Sequence, residues 1–425
     1  MRRWRRCLVV VGLLVLAGVG YGELVASTSR SQLARAVLWG ESDTDDHRRF
    51  PARRVAAGPD RFDFHRPAGG AGTPPAQLRR ISVWEDLRLL ERDWEQFLAA
   101  SNTTAFLAVR GDRLLYEGYF NGYGHDSVQT SMSVAKSVLG ALVGIAIGEG
   151  RIGSVDDPIT RYVPELAERD RRFDQITLRH LLTMTSGLRY EEDGGPWGDD
   201  TATYYAPDLR SLALTRTEVV EAPGRRFHYN NFNPLLVGLA WSGRSACRWP
   251  ATWSTGCGGR WAWRLTAPGA WTAAASGFEK MESGLNARAV DFARLGLLVA
   301  RDGRFRGRQL LPRAWVRDLT QVRTAVGGAP AGSYRFFWWI QDDRHPPAVF
   351  ARGKYGQHLY VVPASDLVLV RFGKDAGYPH WSELLSDLAR QLDESTSAKG
   401  ALILGSMFHK QRCPLGQCQP QVLPH

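Results

Sequence analysis

The residues best suited to chemistry are Ser133 and Lys136, the two ends of Ser133-Val134-Ala135-Lys136. Three residues is just under one helical turn, so on a helix the hydroxyl and the amine share a face and can meet. A neutral amine so placed takes the proton from the hydroxyl as its oxygen attacks an acyl carbon. A helix beginning there adds backbone N–H groups and the positive end of a dipole, which suit an anion forming nearby. The spacing alone is weak, because with six lysines a Ser three residues earlier arises by chance in roughly one such sequence in three. Its setting strengthens it: Lys136 is the only lysine between Met1 and Glu279 and stands in a run, Ser131 to Gly148, that is apolar on nearly every side. A charge is costly in such surroundings without a purpose. The competing reading is a lysine reaching for solvent beside a serine that caps the helix.

A second group is Tyr229-Asn230-Asn231, followed by an apolar helix start. A phenol can relay a proton between nucleophile and leaving group, and the Asn231 amide can hold a substrate or the lysine amine. Taken alone, a loop Asn capping the next helix explains the triplet better. Other hydrolytic chemistries lack their parts. There is no Gly-x-Ser-x-Gly elbow, and the ten His form neither His-x-His nor His-Glu-x-x-His. His180, His228 and His358 read as structural, and neither a metal nor an organic cofactor is expected.

The elements that must carry these residues are legible in outline. Ala105 to Val109 and Leu114 to Phe120 flank Gly111-Asp112 as a β-hairpin. Ser131 to Gly148 reads as a buried helix, and Thr177 to Thr185 as a shorter one opened by a capping Thr and stopped at Gly187. Tyr334 to Gln341, Ala348 to Arg352, His358 to Val362 and Leu367 to Phe372 read as strands, and Trp381 to Leu392 as a helix. Strands at both ends with helices between them predict an α+β body whose antiparallel sheet is assembled from both chain ends.

On these residues the chain resembles the serine β-lactamase and penicillin-binding-protein superfamily, in its class C-like branch that includes nylon-oligomer (6-aminohexanoate-dimer) hydrolases and related esterases. The likeness runs from about Trp84 to Leu392. It rests on Thr130 to Lys136, Val155-Asp156-Asp157-Pro158-Ile159, Leu178 to Leu188, Tyr229-Asn230-Asn231, and Gly356-Gln357 with Val361-Val362-Pro363. The resemblance implies a β-lactamase/transpeptidase-like fold, Ser133 as acylated nucleophile, Lys136 as its base and Tyr229 as proton relay. The family's third motif, Lys-Thr-Gly or His-Thr-Gly, has Ala351-Arg352-Gly353 as its counterpart. The Lys or His is missing, which argues against β-lactam or D-Ala-D-Ala turnover. By the same count the Lys354 N–H would partner that of Ser133 in holding an oxyanion beside Gly353, and Tyr204 or Tyr205 falls near a place where nylon-oligomer hydrolases use a Tyr on the substrate amide. The implied activity is hydrolysis of a small amide or ester. A non-catalytic binding or cell-wall-sensing module that kept the fold is the alternative.

Composition fits this reading. Over 425 residues, 44% hydrophobic and 11% aromatic content against 23% charged excludes general disorder. The net charge of +11 looks like a nucleic-acid footprint, yet only six of the 54 basic residues are Lys and the Arg are scattered, so no nucleic-acid partner is expected. Arg2-Arg3-Trp4-Arg5-Arg6 precedes an uncharged apolar run from Cys7 to Gly22. Residues 1–26 are therefore expected as a membrane anchor or signal segment that leaves the body outside the cytoplasm. Residues 27–83 read as a tether, with Arg48-Arg49-Phe50-Pro51 lying along the body, 84–392 as the catalytic domain, and 393–425 as a tail in which Cys413 and Cys418 could bridge locally. Trp241 to Trp271 is anomalous: six Trp, two Cys, four Arg and no acid. Its composition, with no surviving periodicity, suggests a compensated double frameshift inside the domain, which the nucleotide sequence tests, with a Trp-rich insertion or interaction surface as the alternative.

Overall fold

The computed structural model describes residues 20–54, 62–67, 72–192, 194–244, 268–270, 278–320, 334–341 and 346–394. All but residues 20–22 of the expected membrane run, most of the Trp-rich window and the tail beyond 394 lie outside them. Among the described residues no helix is long and apolar enough to cross a membrane.

Seven strands form one antiparallel sheet: β1 (Thr103–Arg110), β2 (Arg113–Tyr119), β3 (Tyr334–Arg335), β4 (Trp338–Gln341), β5 (Ala348–Gly353), β6 (Gln357–Val362) and β7 (Leu367–Gly373), in the spatial order β3-β4-β5-β6-β7-β1-β2. The last strand pairs with the first, Leu367 opposite Arg110 and Phe372 opposite Ala105, so both chain ends do build the sheet. Side chains alternate faces along a strand. From β1, Ala105, Leu107 and Val109 enter one core, while Phe106 and Ala108 enter another with Trp94, Leu98, Trp381 and Leu385. Covered on both faces, β1 is buried from Thr103 to Val109. That explains its unbroken apolar run, where a half-exposed strand would alternate.

The helices of the body include α1 (Gln32–Trp39), α2 (Val134–Gly148), α3 (Leu178–Leu182), α4 (Asp199–Tyr205), α5 (Phe232–Arg244) and α6 (Ala289–Ala300), of which α1, α2 and α4 contribute residues to the cavity of the candidate site. The apolar run read as a buried helix is α2, buried from Val134 to Ala146. Gly144 and Gly148, one turn apart, let it approach its neighbours closely. A Cβ at Gly144 would lie 2.6 Å from the Trp315 ring and 2.8 Å from Leu311, and one at Gly148 2.6 Å from Pro312. Helix α3 opens at Thr177, whose side chain accepts from the His180 N–H while His180 Nδ1 accepts from the Thr177 N–H at 3.1 Å. It stops short of the expected Thr185, because Met184 turns left-handed at φ 57°.

Described parts of the stretch read as a tether, residues 27–83, lie against the body, the expected patch at Phe50 among them. Ser31 caps α1, Arg35 donates to the carbonyls of Tyr205 at 3.2 Å and Ala206 at 3.4 Å, and Phe50 packs edge-on to Trp39 and Tyr204. Arg80–Glu85 pairs with Arg88–Asp93 as a hairpin. These residues form an arm laid on the body, and its partners lie too far along the chain to leave a local periodicity.

Candidate active site

The segment that leads into α2 is held before it turns. Gln129–Thr130 pairs with Asn286–Ala287, the Ser131 N–H donates to the Leu285 carbonyl at 2.9 Å, and the Thr130 N–H donates to the Thr44 carbonyl of the arm at 2.7 Å. Met132 then adopts φ 49°, a left-handed conformation that a side-chain-bearing residue rarely takes. Ser133 follows at the helix cap. A serine there usually accepts a bond from its own helix, but Ser133 makes no such bond. Its Oγ instead accepts from Lys136 Nζ at 2.7 Å. Lys136 is 1% exposed and donates also to the Glu282 carbonyl at 2.9 Å. Among the described residues it has no carboxylate partner.

Tyr229 lies over this pair, its ring centroid 5.0 Å from Lys136 Nζ and stacked on Trp339 at 6.3 Å. The sequence offered Asn231 as a contact for substrate or for the lysine. Its amide donates instead to the Tyr190 hydroxyl at 2.7 Å and Asp200 at 2.9 Å, while its Oδ1 is buried without a partner among the described residues. Capping falls to the middle residue of the triplet: Asn230 Oδ1 accepts from the Phe232 N–H at 2.8 Å at the start of α5.

The end of β5 closes the other side. Gly353 packs so tightly on the turn that leads into α2 that a Cβ would lie 2.8 Å from the Ser131 carbonyl and 3.0 Å from Ser133 N. Lys354 follows, its side chain turned toward the arm, where Nζ donates to Ser42 Oγ at 3.3 Å. Tyr355 has φ 66° and its hydroxyl donates to the Ser42 carbonyl. Beneath the turn is Arg371, buried and bonded to the carbonyls of Tyr355 at 2.7 Å, Gly356 at 2.9 Å and Ser101 at 2.7 Å. Burial pushes its guanidinium down to about 9.

Ser133, Lys136, Tyr229, Asn231, Gly353, Lys354 and Tyr204 all line one cavity of 1040 Å³, whose wall includes Gly40, Glu41 and Ser42 of the arm. Tyr204 donates to Asp46 at 2.6 Å, and burial together with that carboxylate holds its phenol well above the usual range. The neighbouring Tyr205 donates to the Gly40 carbonyl at 2.6 Å. His358 reaches the cavity but is buried, and desolvation with Arg371 and Arg352 nearby pushes its imidazole down to about 3, so it is neutral.

Sequence reasoning missed Lys280, Glu282 and the contacts of the arm outside Arg48 to Pro51. Lys280 is buried beside Tyr204, its Nζ 3.4 Å from the ring centroid, and pairs with Glu282 at 2.7 Å. Burial pulls its ammonium down while Glu282 and Asp46 oppose the shift. Lysine scarcity, which singled out Lys136, applies to this second lysine too, but its neighbours Glu279, Glu282 and Ser283 make the stretch look polar.

Several known proteins resemble this chain. Residues 90–386 match the family described as Beta-lactamase. The 6-aminohexanoate-dimer hydrolase of Paenarthrobacter ureafaciens is 30% identical over 336 residues, 71% of this chain and 81% of that protein. A solved structure described as "Putative 6-aminohexanoate-dimer hydrolase from Bacillus anthracis" is 24% identical and superposes with a TM-score of 0.70 over 86% of this chain and 97% of its own. The octameric penicillin-binding protein homologue from Pyrococcus abyssi, 16% identical, has a TM-score of 0.53 over 70% of this chain and 76% of its own.

Proposed function

We propose that this chain, a serine hydrolase belonging to the β-lactamase family, cleaves a small amide or ester through an acyl-enzyme on Ser133. The carrying observation is the redirected serine: at a position where it would normally cap its helix, Ser133 Oγ bonds the buried Lys136 at 2.7 Å. Lys136 accepts the hydroxyl proton as Oγ bonds to the substrate carbonyl carbon. The carbonyl oxygen, now anionic, is held by the backbone N–H groups of Ser133 and of Lys354, which follows Gly353 where that residue packs against Ser133 N. Tyr229, over the Lys136 amine, passes the proton to the departing nitrogen or oxygen, and that bond breaks. Water then attacks the acyl ester, releases the acid and returns the proton to Ser133. An amide or ester substrate class agrees with the 6-aminohexanoate dimer named for the relative. The Arg-rich start and the apolar run from Cys7 to Gly22 support a membrane-tethered or secreted body acting outside the cytoplasm, which protease accessibility in intact cells tests.

A serine-directed fluorophosphonate probe tests the mechanism. The wild-type chain is expected to label and the Ser133→Ala variant not to. Folded wild type that resists labelling, and that cleaves none of a panel of short-chain esters and linear amides, would refute it.

A further inference from the structure

Among the described residues Lys136 Nζ donates to two acceptors, Ser133 Oγ and the Glu282 carbonyl. The first is the proposed nucleophile, whose bond changes during the reaction, so the second is what fixes the direction of the amine. That carbonyl belongs to a turn over residues 281–283 built around a second lysine. Lys280 Nζ bonds Glu282 Oε1 at 2.7 Å and also Ser283 Oγ, and the Ser283 hydroxyl donates to the same Glu282 oxygen at 2.9 Å. The Gly284 N–H closes the turn on the Lys280 carbonyl at 2.7 Å, and a Cβ at Gly284 would sit 2.5 Å from that of Lys280. On the far side the Lys280 ammonium rests on the Tyr204 ring, which Asp46 of the arm holds in place. The charged and titratable groups around Lys280 are thus Glu282, Asp46, Tyr204 and Lys136.

A buried ion pair is poor evidence for stability, since apolar side chains of similar volume often serve as well or better. The pair here shapes one short turn, and that turn presents the one fixed acceptor to the lysine beside the nucleophile. We infer that Lys280 is a positioning residue, which through Glu282 and Ser283 holds the 281–283 turn so that the Glu282 carbonyl aims Lys136 Nζ at Ser133 Oγ. This rests on Ser133 and Lys136 acting as nucleophile and base. Lys280 itself touches no reacting atom.

The test uses the full chain, a fluorophosphonate and a p-nitrophenyl ester. The double variant Lys280→Met/Glu282→Gln removes both charges and strands neither, and Ser283→Ala removes only a hydroxyl. With the thermal midpoint within a few degrees of wild type and KM within twofold, kcat and the labelling rate are expected to fall about 10- to 100-fold in the double variant and about 3- to 10-fold in Ser283→Ala. The pH–rate profile of both is expected to move by about half a unit or more. Two results overturn the inference: kcat within twofold with an unmoved pH profile, or losses in both variants that merely track the fraction of folded protein. Failure of the underlying reading is separate, because there the wild type itself does not label.

Discussion

Gly353→Ala is the sharpest probe of the proposed oxyanion site, because only one thing about it is wrong. At φ −129° and ψ 162° Gly353 is in extended backbone that alanine adopts freely, so no conformational strain enters. The added methyl, however, would lie 2.8 Å from the Ser131 carbonyl oxygen, 3.0 Å from Met132 Cβ and 3.0 Å from Ser133 N. Carbon contacts settle near 3.5–4.0 Å, so β5 and the nucleophile turn must separate by about half an ångström or more. Two of the three obstructing atoms are main chain and cannot rotate away. Overpacking of this kind costs about 1–3 kcal/mol of stability. Loss of one oxyanion donor typically lowers kcat about 10²–10³-fold. A half-displaced donor gives an expected fall of about 100-fold in ester kcat and in the fluorophosphonate labelling rate, equivalent to about 2.7 kcal/mol. Gly124→Ala is the control, since open space surrounds that residue, and both values should stay at wild-type level. A Gly353→Ala protein that is folded by calorimetry and labels within threefold of wild type would refute the placement of the oxyanion site between Ser133 and Lys354.

The imidazole of His358, held down to about 3, refuses a proton that the unfolded chain takes up below about pH 6.5. Its contribution to stability is therefore present near neutrality and lost on acidification between about pH 6.5 and 3, with a slope of up to about 1.4 kcal/mol per pH unit. His358→Leu should lose stability less steeply than wild type in urea unfolding from pH 7 to 4, and parallel slopes would contradict this. Arg371→Lys keeps a charge but cannot serve the spread of carbonyls that the guanidinium reaches. With each orphaned buried group costing about 1–3 kcal/mol, about 3–5 kcal/mol should be lost in urea unfolding, and a change under about 1 kcal/mol would refute that role. Gly144→Ala drives a methyl to 2.6 Å from the Trp315 ring. It should cost about 1–3 kcal/mol, softened by the helix preference of alanine, while kcat per titrated active site stays unchanged.

What the sequence revealed and what it hid divide by the distance over which the information is carried. The hairpin around Gly111, helix α2 and the Thr177 cap rest on neighbours a few residues apart, and turn and cap chemistry exposes such features locally. Ser133 and Lys136 belong to this class, being three residues apart on one helix. The arm does not. Asp46 meets Tyr204 across 158 residues and Ser42 meets Tyr355 across 313, and no periodicity within residues 27–83 encodes a partner so remote. Lys280 was hidden differently: nothing local marks a lysine as buried when its counter-charge, Glu282, gives the stretch the look of a polar turn. For Asn231 the residue type was informative but the partner was not, since its amide could serve substrate, lysine or Tyr190 equally well, and only the fold brings Tyr190 to 2.7 Å.

The pairing of β1 with β7 also dictates when the protein becomes competent. During synthesis Ser133 and Lys136 emerge early and on a single helix, so the proposed nucleophile and base can meet long before the chain is finished. Everything else the proposed reaction uses arrives later, with Gly353 and Lys354 only at the end of β5. Arg371, which ties the turn after β5, bonds Ser101 across 270 residues. Loop closure over such a span is slow, and until β7 docks β1 presents an unpaired edge. On the proposed mechanism the nascent chain is expected to stay inert to substrate until its last strand is in place, so that the onset of hydrolysis would report sheet closure.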